Sequence, residues 1–382
     1  MNKIITLILI MSLSLLFACT QKDNFIGFDQ DIQIGTDTLT NIVSLCKSFV
    51  DSIGTYNDNS VMLAGFFNNV RTRSLLEFGD LPDTTWLDSI HFESCNLVFQ
   101  TAVQLRDYVD IHAYRMTKYW AVGSATWDTV GTNFEDFPEP LIFTVSSDSI
   151  TVPFDSTVVK NWIEHDSLNY GMLLDAPYAD SSFVEFYTRN SNNAPILRIV
   201  SIGNSSGKRD TLEIENTKDI FVAKDLNRDS YDIDTYTIAN LAPTRLVMKL
   251  DIPSIAQQLG LKLADLQMLS LNLAEVFFDS TMTQKRYLGD SFLSVRAYYV
   301  VDTLANEITF ISSTPNSYYM QEDSSLLLNI TTLLEGIIRG DLDNPYIAIV
   351  SLTENKNYNY VQFYEGSLPT LHVTYTKPVF TK

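Results

Sequence analysis

Glycine and proline are scarce in this chain, 15 and 12 among 382 residues, about 7% together where roughly 12% is usual. So few exclude a collagen-like period or a Pro/Gly-rich low-complexity tract, and no glycine-rich phosphate loop is present. Cysteine occurs three times, at Cys19, Cys46 and Cys95, too rarely for a disulfide scaffold or a Cys-based zinc site. Four histidines (His91, His112, His165 and His372) are scattered without metal-ligand spacing, and no nucleophile elbow or kinase signature occurs. Basic residues are outnumbered, 26 Lys and Arg against 46 Asp and Glu, for a net charge of −20. That balance argues against nucleic acid or an anionic membrane surface as partner. What the chain does have is apolar and aromatic content, 45% and 12%, enough for a folded protein of two or three domains.

Long hydrophobic runs are also few, and the plainest one opens the chain. Lys3 precedes residues 4–17, in which only Thr6, Ser12 and Ser14 are polar. This length with a basic start reads as the apolar region of a signal peptide, too short to span a bilayer. It closes on Leu16-Phe17-Ala18-Cys19, which resembles the lipobox of bacterial lipoproteins, so residues 1–18 are expected to be removed and Cys19 lipidated. The mature chain then carries −21, because the removed segment holds Lys3 and no acid. Residues 19–36 read as a tether, and Thr20-Gln21-Lys22-Asp23-Asn24 resembles a surface-export signal. A lipid anchor implies the cell envelope, with the outer membrane as the expected site and surface exposure open. In that oxidising compartment a Cys46–Cys95 disulfide is permitted, but two buried free thiols are the reading favoured.

The body reads as strands. Alternating or continuously apolar runs rich in Val, Ile, Phe, Tyr and Thr occupy 61–67, 73–78, 90–101, 108–116, 141–145, 171–174, 183–187 and 196–202. One segment breaks the period: after Asp155-Ser156, residues Val158, Val159, Trp162 and Ile163 are spaced for a short amphipathic helix, with Asp155 or Ser156 as its N-cap. Many strands with one helical insertion predict an all-β, antiparallel sandwich of jelly-roll type.

An ordered set of short motifs carries a resemblance over about 38–202. Met62-Leu63-Ala64-Gly65 and Arg73-Ser74-Leu75-Leu76-Glu77-Phe78 come first. Ala113-Tyr114-Arg115, Trp120 and Ala125-Thr126-Trp127-Asp128 follow, then Gly171-Met172-Leu173-Leu174. Val184-Glu185-Phe186-Tyr187 and Ala194-Pro195-Ile196-Leu197-Arg198-Ile199 close the set. Together these resemble the DNRLRE (disaggregatase-related) domain, a relative of the family-96 carbohydrate-binding modules. A decayed second copy follows. Arg245–Leu250 answers the Arg73 strand, Ala297-Tyr298 answers Ala113-Tyr114, and residues 333–338 stand where the Trp162 helix stood. Residues 346–350 answer 170–174, 361–364 answer 184–187, and 369–373 answer 195–199. The second copy lacks the Thr126-Trp127 element and adds a helix-like stretch over 255–266. Two tandem sandwiches are therefore expected, at 37–205 and 206–382, joined at the polar, turn-rich 205–210.

The resemblance implies polysaccharide binding, in some relatives of anionic chains. Tyr119, Trp120 and Trp127 are the candidate ligand-binding residues, since an aromatic ring can stack on the apolar face of a sugar; a core role for Trp120 and Trp127 stays open, and is preferred for Trp127. Trp86 and Trp162 read as core. An anionic ligand would require Arg71, Arg73, Arg106, Arg115 and Lys118 to gather on one face. Asp225, Asn227 and Asp229 begin like a calcium loop, but Ser230 and Tyr236 stand where a glycine and a bidentate acid are needed. Glu135, Asp136 and Glu139 form an acid cluster of a kind that chance supplies among 46 acids. No catalytic residue, metal or cofactor is expected. Three functions remain: a lipid-anchored, non-catalytic binder of polysaccharide, a structural or adhesive subunit docking a surface protein, and, trailing, a glycan-cleaving enzyme.

Overall fold

The computed structural model describes residues 34–50, 59–67, 69–104, 108–176, 182–226, 236–241, 243–289, 291–301, 310–311, 317–320, 322, 325–354, 356–364 and 366–377. The expected signal run and Cys19 lie outside them. No helix among the described residues is long and apolar enough to cross a membrane.

Two strands, β1 (Ile34–Leu39) and β2 (Val43–Val50), turn on Asn41, a non-glycine residue in the left-handed region (φ 52°). Twelve more follow: β3 (Val61–Phe67), β4 (Val70–Glu77), β5 (Ile90–Gln104), β6 (Val109–Met116), β7 (Phe134–Glu135), β8 (Leu141–Val145), β9 (Ser149–Phe154), β10 (Met172–Asp175), β11 (Ser182–Tyr187), β12 (Ile196–Gly203), β13 (Arg209–Glu215) and β14 (Lys218–Asp225). The last eleven are β15 (Tyr236–Ala239), β16 (Thr244–Leu250), β17 (Ser270–Phe278), β18 (Thr283–Tyr287), β19 (Phe292–Val300), β20 (Phe310–Ile311), β21 (Ser317–Met320), β22 (Leu326–Asn329), β23 (Tyr346–Ser351), β24 (Tyr360–Phe363) and β25 (Thr370–Thr376).

In the first sandwich, β5 belongs to both sheets. Residues 90–98 pair with β12, 95–100 pair with β9, and its last residues pair with β11. One sheet is thus β13-β12-β5-β9, and the other runs β5-β11-β3-β4-β10-β6 with β14 on β4 and β7 and β8 on β6. Every pair is antiparallel, and alternation sends Leu76 into the core between the sheets and Arg71, Arg73 and Leu75 outward. The helix Ser156–Glu164 closes one end. Asp155 caps it by accepting from Thr157 N at 2.8 Å, and Val158, Val159, Trp162 and Ile163 pack inward.

The second sandwich repeats this plan with β5 cut in two. β17 pairs with β25 and β22, while β18, after the turn at 280–282, pairs with β24. β16 lies between β2 and β23 as β4 lies between β14 and β10. The helix Thr331–Arg339 takes the place of Ser156–Glu164. Register bears out most of the sequence equivalences and moves one: Ile349, rather than Val350, stands where Leu174 stands, since Leu174 faces Ser74 and Ala113 while Ile349 faces Leu246 and Ala297. The 255–266 segment is not one helix but two, Ile252–Gln258 and Leu263–Leu266, parted at Gly260 (φ 68°).

The pairing departs from the expected boundaries. Residues 205–210 are no linker; Gly207 (φ 62°) sits in the turn joining β12 to β13, and solvated turn chemistry looks the same in both roles. β13 and β14 complete the first sandwich, on β12 and β4. The equivalent places in the second are filled by β1 on β25 and β2 on β16. The first sandwich therefore spans 59–226, and the second combines 34–50 with 236–377. The permitted disulfide does not form, because buried Cys46 and Cys95 belong to different cores and both are free.

The sandwiches meet on rings. Tyr358 lies 4.1 Å from Phe183 and 5.7 Å from Phe67 between centroids, Tyr287 lies 5.0 Å from Phe67, and the Thr72 and Tyr358 hydroxyls share a hydrogen bond. Tyr358 is buried among first-sandwich side chains, so the two bodies share apolar surface as well as two chain crossings.

Candidate functional site

The connection 117–133 folds back over the outer face of the first sandwich. Its mouth is closed by Thr117 N donating to Asn133 O at 2.9 Å. Inside it, Thr126 and Thr129 form a reciprocal cap: Thr126 N donates to Thr129 Oγ1 at 2.7 Å and Thr129 N to Thr126 Oγ1 at 3.3 Å. The cap starts the four-residue helix Trp127–Val130, which stops at Gly131 (φ 46°). Apolar residues of the loop, among them Trp120, Ala125 and Val130, cover Leu75, Leu173, Ile220 and Val222 on the sheet below. This small outer core fixes the loop in place.

The three aromatic candidates part company here. Trp120 is 5% exposed and its indole N–H donates to Tyr170 O at 2.8 Å, so it plugs the loop onto the sheet. Tyr119, its neighbour, is 67% exposed, and the Lys218 ammonium stands 5.4 Å from its ring. Trp127 is half-buried and takes a different partner: the Arg73 guanidinium lies 4.3 Å from its ring centroid. Beneath Tyr119 is a cavity of about 230 Å³ whose polar lining is Lys118, Ser124, Thr129 and Asn133, with Trp120 at one wall. The Asn133 amide donates to Thr129 O at 3.0 Å, which leaves its side-chain carbonyl oxygen for a ligand.

On the far flank of the short helix lies a charged cluster. Arg71 Nη2 and Arg73 Nε both donate to Asp175 Oδ2, at 2.7 and 3.0 Å, while Asp175 Oδ1 is buried without a hydrogen-bond partner. Arg115 Nε donates to Glu135 at 3.0 Å. Tyr114, on the outer face, lies 5.0 Å from Phe134 between ring centroids. Burial first, then the Asp175 and Asp136 charges, push its phenol above the ordinary range, with Arg73 and Arg71 opposing. Arg71 and Arg73 thus share the outer face and one carboxylate, whereas Arg115, in register with Met172 and Leu76, points to the opposite face, so the basic residues do not gather as an anionic ligand would require. Lys118 lies at the cavity; Arg106 is outside the described residues.

The remaining candidates fall elsewhere. Trp162 is core, and Trp86 lies half-buried at the core edge against Phe92. His91 lines a separate polar cavity with Asp88, Lys160 and Glu164; His165 ends its helix, and His372 stacks on Phe277 at 5.2 Å. Of the calcium-like run only Asp225 is described, as the last residue of β14; Asn227 and Asp229 lie outside. Asp219 has its carboxyl raised by burial, but it is tied to Arg189 N and Asn216 in a turn and lines no cavity described above. The residues that sequence reasoning missed are Ser124, Thr129 and Asn133. Their one sequence signal is Thr126-x-x-Thr129, a cap that announces a turn of helix inside an apparently irregular loop.

No family model matches this chain, and no curated protein matches it. Among solved structures a weak likeness is found to the structure of infectious bursal virus derived T=1 particles. Identity is 9%, over 92% of this chain and 76% of that one, with a TM-score of 0.11, and no inference follows from it.

Proposed function

We propose that the chain is a lipid-anchored, non-catalytic protein of the cell envelope that binds polysaccharide through the 117–133 loop of its first sandwich. The observation that carries this reading is the cavity beneath Tyr119. An exposed aromatic ring there adjoins an ammonium, a hydroxyl and an amide oxygen, the set that grips a sugar ring by its apolar face and its hydroxyls. The division of Arg71 and Arg73 from Arg115 between two faces, each already bonded to an acid, on a chain of net charge −20, favours an uncharged glycan over an acidic one. The anchor rests on the lipobox-like Leu16-Phe17-Ala18-Cys19.

Electrophoresis of the mature chain through gels containing neutral or acidic polysaccharides tests the reading. Retardation by a neutral polysaccharide is expected, and Tyr119→Ala should weaken it about tenfold or more, in line with ~1–3 kcal/mol for a lost stacking contact. Trp120→Ala is unsuitable as a ligand-site control, because it removes the plug that holds the loop. Failure of every polysaccharide to retard the chain would sink the reading.

A docking subunit is the second reading. On the second sandwich Phe292 (39% exposed), Tyr318 (52%) and Met320 (40%) lie together on the paired strands β19 and β21, an apolar patch suited to a protein partner.

A further inference from the structure

The hairpin 34–50 stands apart from the rest of the molecule in how it is connected. It is followed in sequence by the first sandwich, yet it pairs only with strands of the second. Six residues of β1 ladder onto β25, from Ile34 opposite Thr376 to Leu39 opposite Leu371, and β2 ladders onto β16 along its length. Leu39, Ile42, Val43 and Cys46 are buried in the second core. Side chains fasten the turn and ends as well. Gln258 brackets Thr40 through both its amide atoms, Thr237 N donates to Ser48 Oγ at 2.7 Å, and Tyr375 donates to Asp37 at 2.6 Å.

In the first sandwich the same two places are filled by β13 and β14, which follow β12 directly along the chain. The second sandwich therefore has an acceptor groove, bounded by β16 and β25, whose occupant arrives from almost 200 residues upstream. The link from hairpin to first sandwich is only residues 51–58, at most about 29 Å of extended chain. An identical hairpin from another molecule would make every one of these contacts, changing only the path of that link, which is the condition under which exchange between copies costs little.

We propose that the 34–50 hairpin is an exchangeable clasp, and that the partner fitting the second sandwich's groove is the N-terminal hairpin of a second copy of this chain. Reciprocal exchange yields a closed pair with both grooves filled. Two-dimensional confinement on a membrane would raise the effective concentration and favour it.

Thr36 and Thr374 face each other across β1 and β25 with hydroxyls 3.3 Å apart, a spacing that a disulfide can bridge. Two preparations of the full mature chain, one Thr36→Cys and one Thr374→Cys with different tags, are mixed, warmed briefly below the unfolding transition and oxidised. The expected product on a non-reducing gel is a covalent dimer carrying both tags, increasing with incubation time. The double variant, closing within one chain, shows that both cysteines are tolerated. If it closes while the mixture stays monomeric, the clasp is private to each molecule and the proposal is overturned. A mixture with Thr211→Cys in place of Thr36→Cys reports random collision; an equal dimer yield there also overturns it.

Discussion

The arginine that both sandwiches hold at one ladder position is neutralised differently in each. In the first, Arg73 finds Asp175 on the adjacent strand β10, shares it with Arg71, and lies against Trp127. In the second, Arg245 occupies the same place, but the strand beside it carries Val350 where Asp175 would be. Arg245 turns instead to Glu354 in the following loop, gripping both carboxylate oxygens at 2.8 and 2.9 Å. The outer faces of the other sheets diverge as well. β12, β13 and β5 are crossed by the ion pairs Arg198–Glu213 and Arg209–Glu93. Their counterparts carry the Thr36–Thr374 hydroxyl contact and the Phe277–His372 stack. Backbone pairing is thus shared while outward chemistry is not, because a ladder constrains which way a residue points and hardly constrains what it is.

The largest test of this separation is at Gly171. Its φ is +74°, and a Cβ would lie 2.1 Å from Leu76 O, whereas the second sandwich places Tyr346, the first residue of β23, at the corresponding point. Gly171→Ala should cost the first sandwich about 3 kcal/mol or more in denaturant unfolding. Thiol labelling locates the damage: Cys95 lies in the first core and Cys46 in the second, and burial pushes the two thiols up to about 11 and about 12. Both should resist labelling at neutral pH in the native state, with Cys95 exposed preferentially in the variant. Equal exposure of both would break the comparison. Asp175→Val, which gives the first sandwich its twin's residue, leaves Arg71 and Arg73 without their shared acceptor. A loss of about 2 kcal/mol is expected, below the usual figure for a fully buried pair because Arg71 is partly exposed; an unchanged urea midpoint would show that the acid is dispensable there too. The smallest effect belongs to Asp219, which faces Leu76 in β4 as Cys46 faces Met248 in β16. Burial raises its carboxyl more than the bonds from Arg189 N and Asn216 lower it. The ionised form is therefore penalised in the fold: stability falls as pH rises through the folded value and recovers below it. Asp219→Asn should be more stable at pH 7 by about 1 kcal/mol or less, with the difference closing as the medium is acidified.

Local pattern revealed the interior and missed the edges. β3 and β8 lie where alternation places them, and the 156–164 helix starts at the cap Asp155, because these signals are confined to a few neighbouring residues. β13, with three of its first four residues charged or hydroxylic and nearly every side chain in solvent, looks like a linker, since an edge strand exposed on one face needs little apolar content. The first half of β1, residues 34–36, looks like a tether for the same reason. Nor could Trp120 be told from Tyr119 by sequence: the carbonyl that binds the Trp120 indole is at Tyr170, fifty residues on, and burial depends on that distant partner. The Arg71–Asp175 pair, 104 residues apart, was hidden for the same reason.

The order in which the strands are made has a consequence for the newborn chain. β13 and β14 follow the strands they join, so the first sandwich closes as soon as residue 225 is available. β1 and β2 come first and must wait for β16 and then β25, whose last ladder partner is Thr376. At ~5–20 residues per second that interval is on the order of 15–65 s. Throughout it Leu39, Ile42 and Val43 have no core to enter, and a finished first sandwich already separates them from their destination. The earliest segment to be synthesised is among the last to find its place, so chain order as well as stability sets when this molecule is complete.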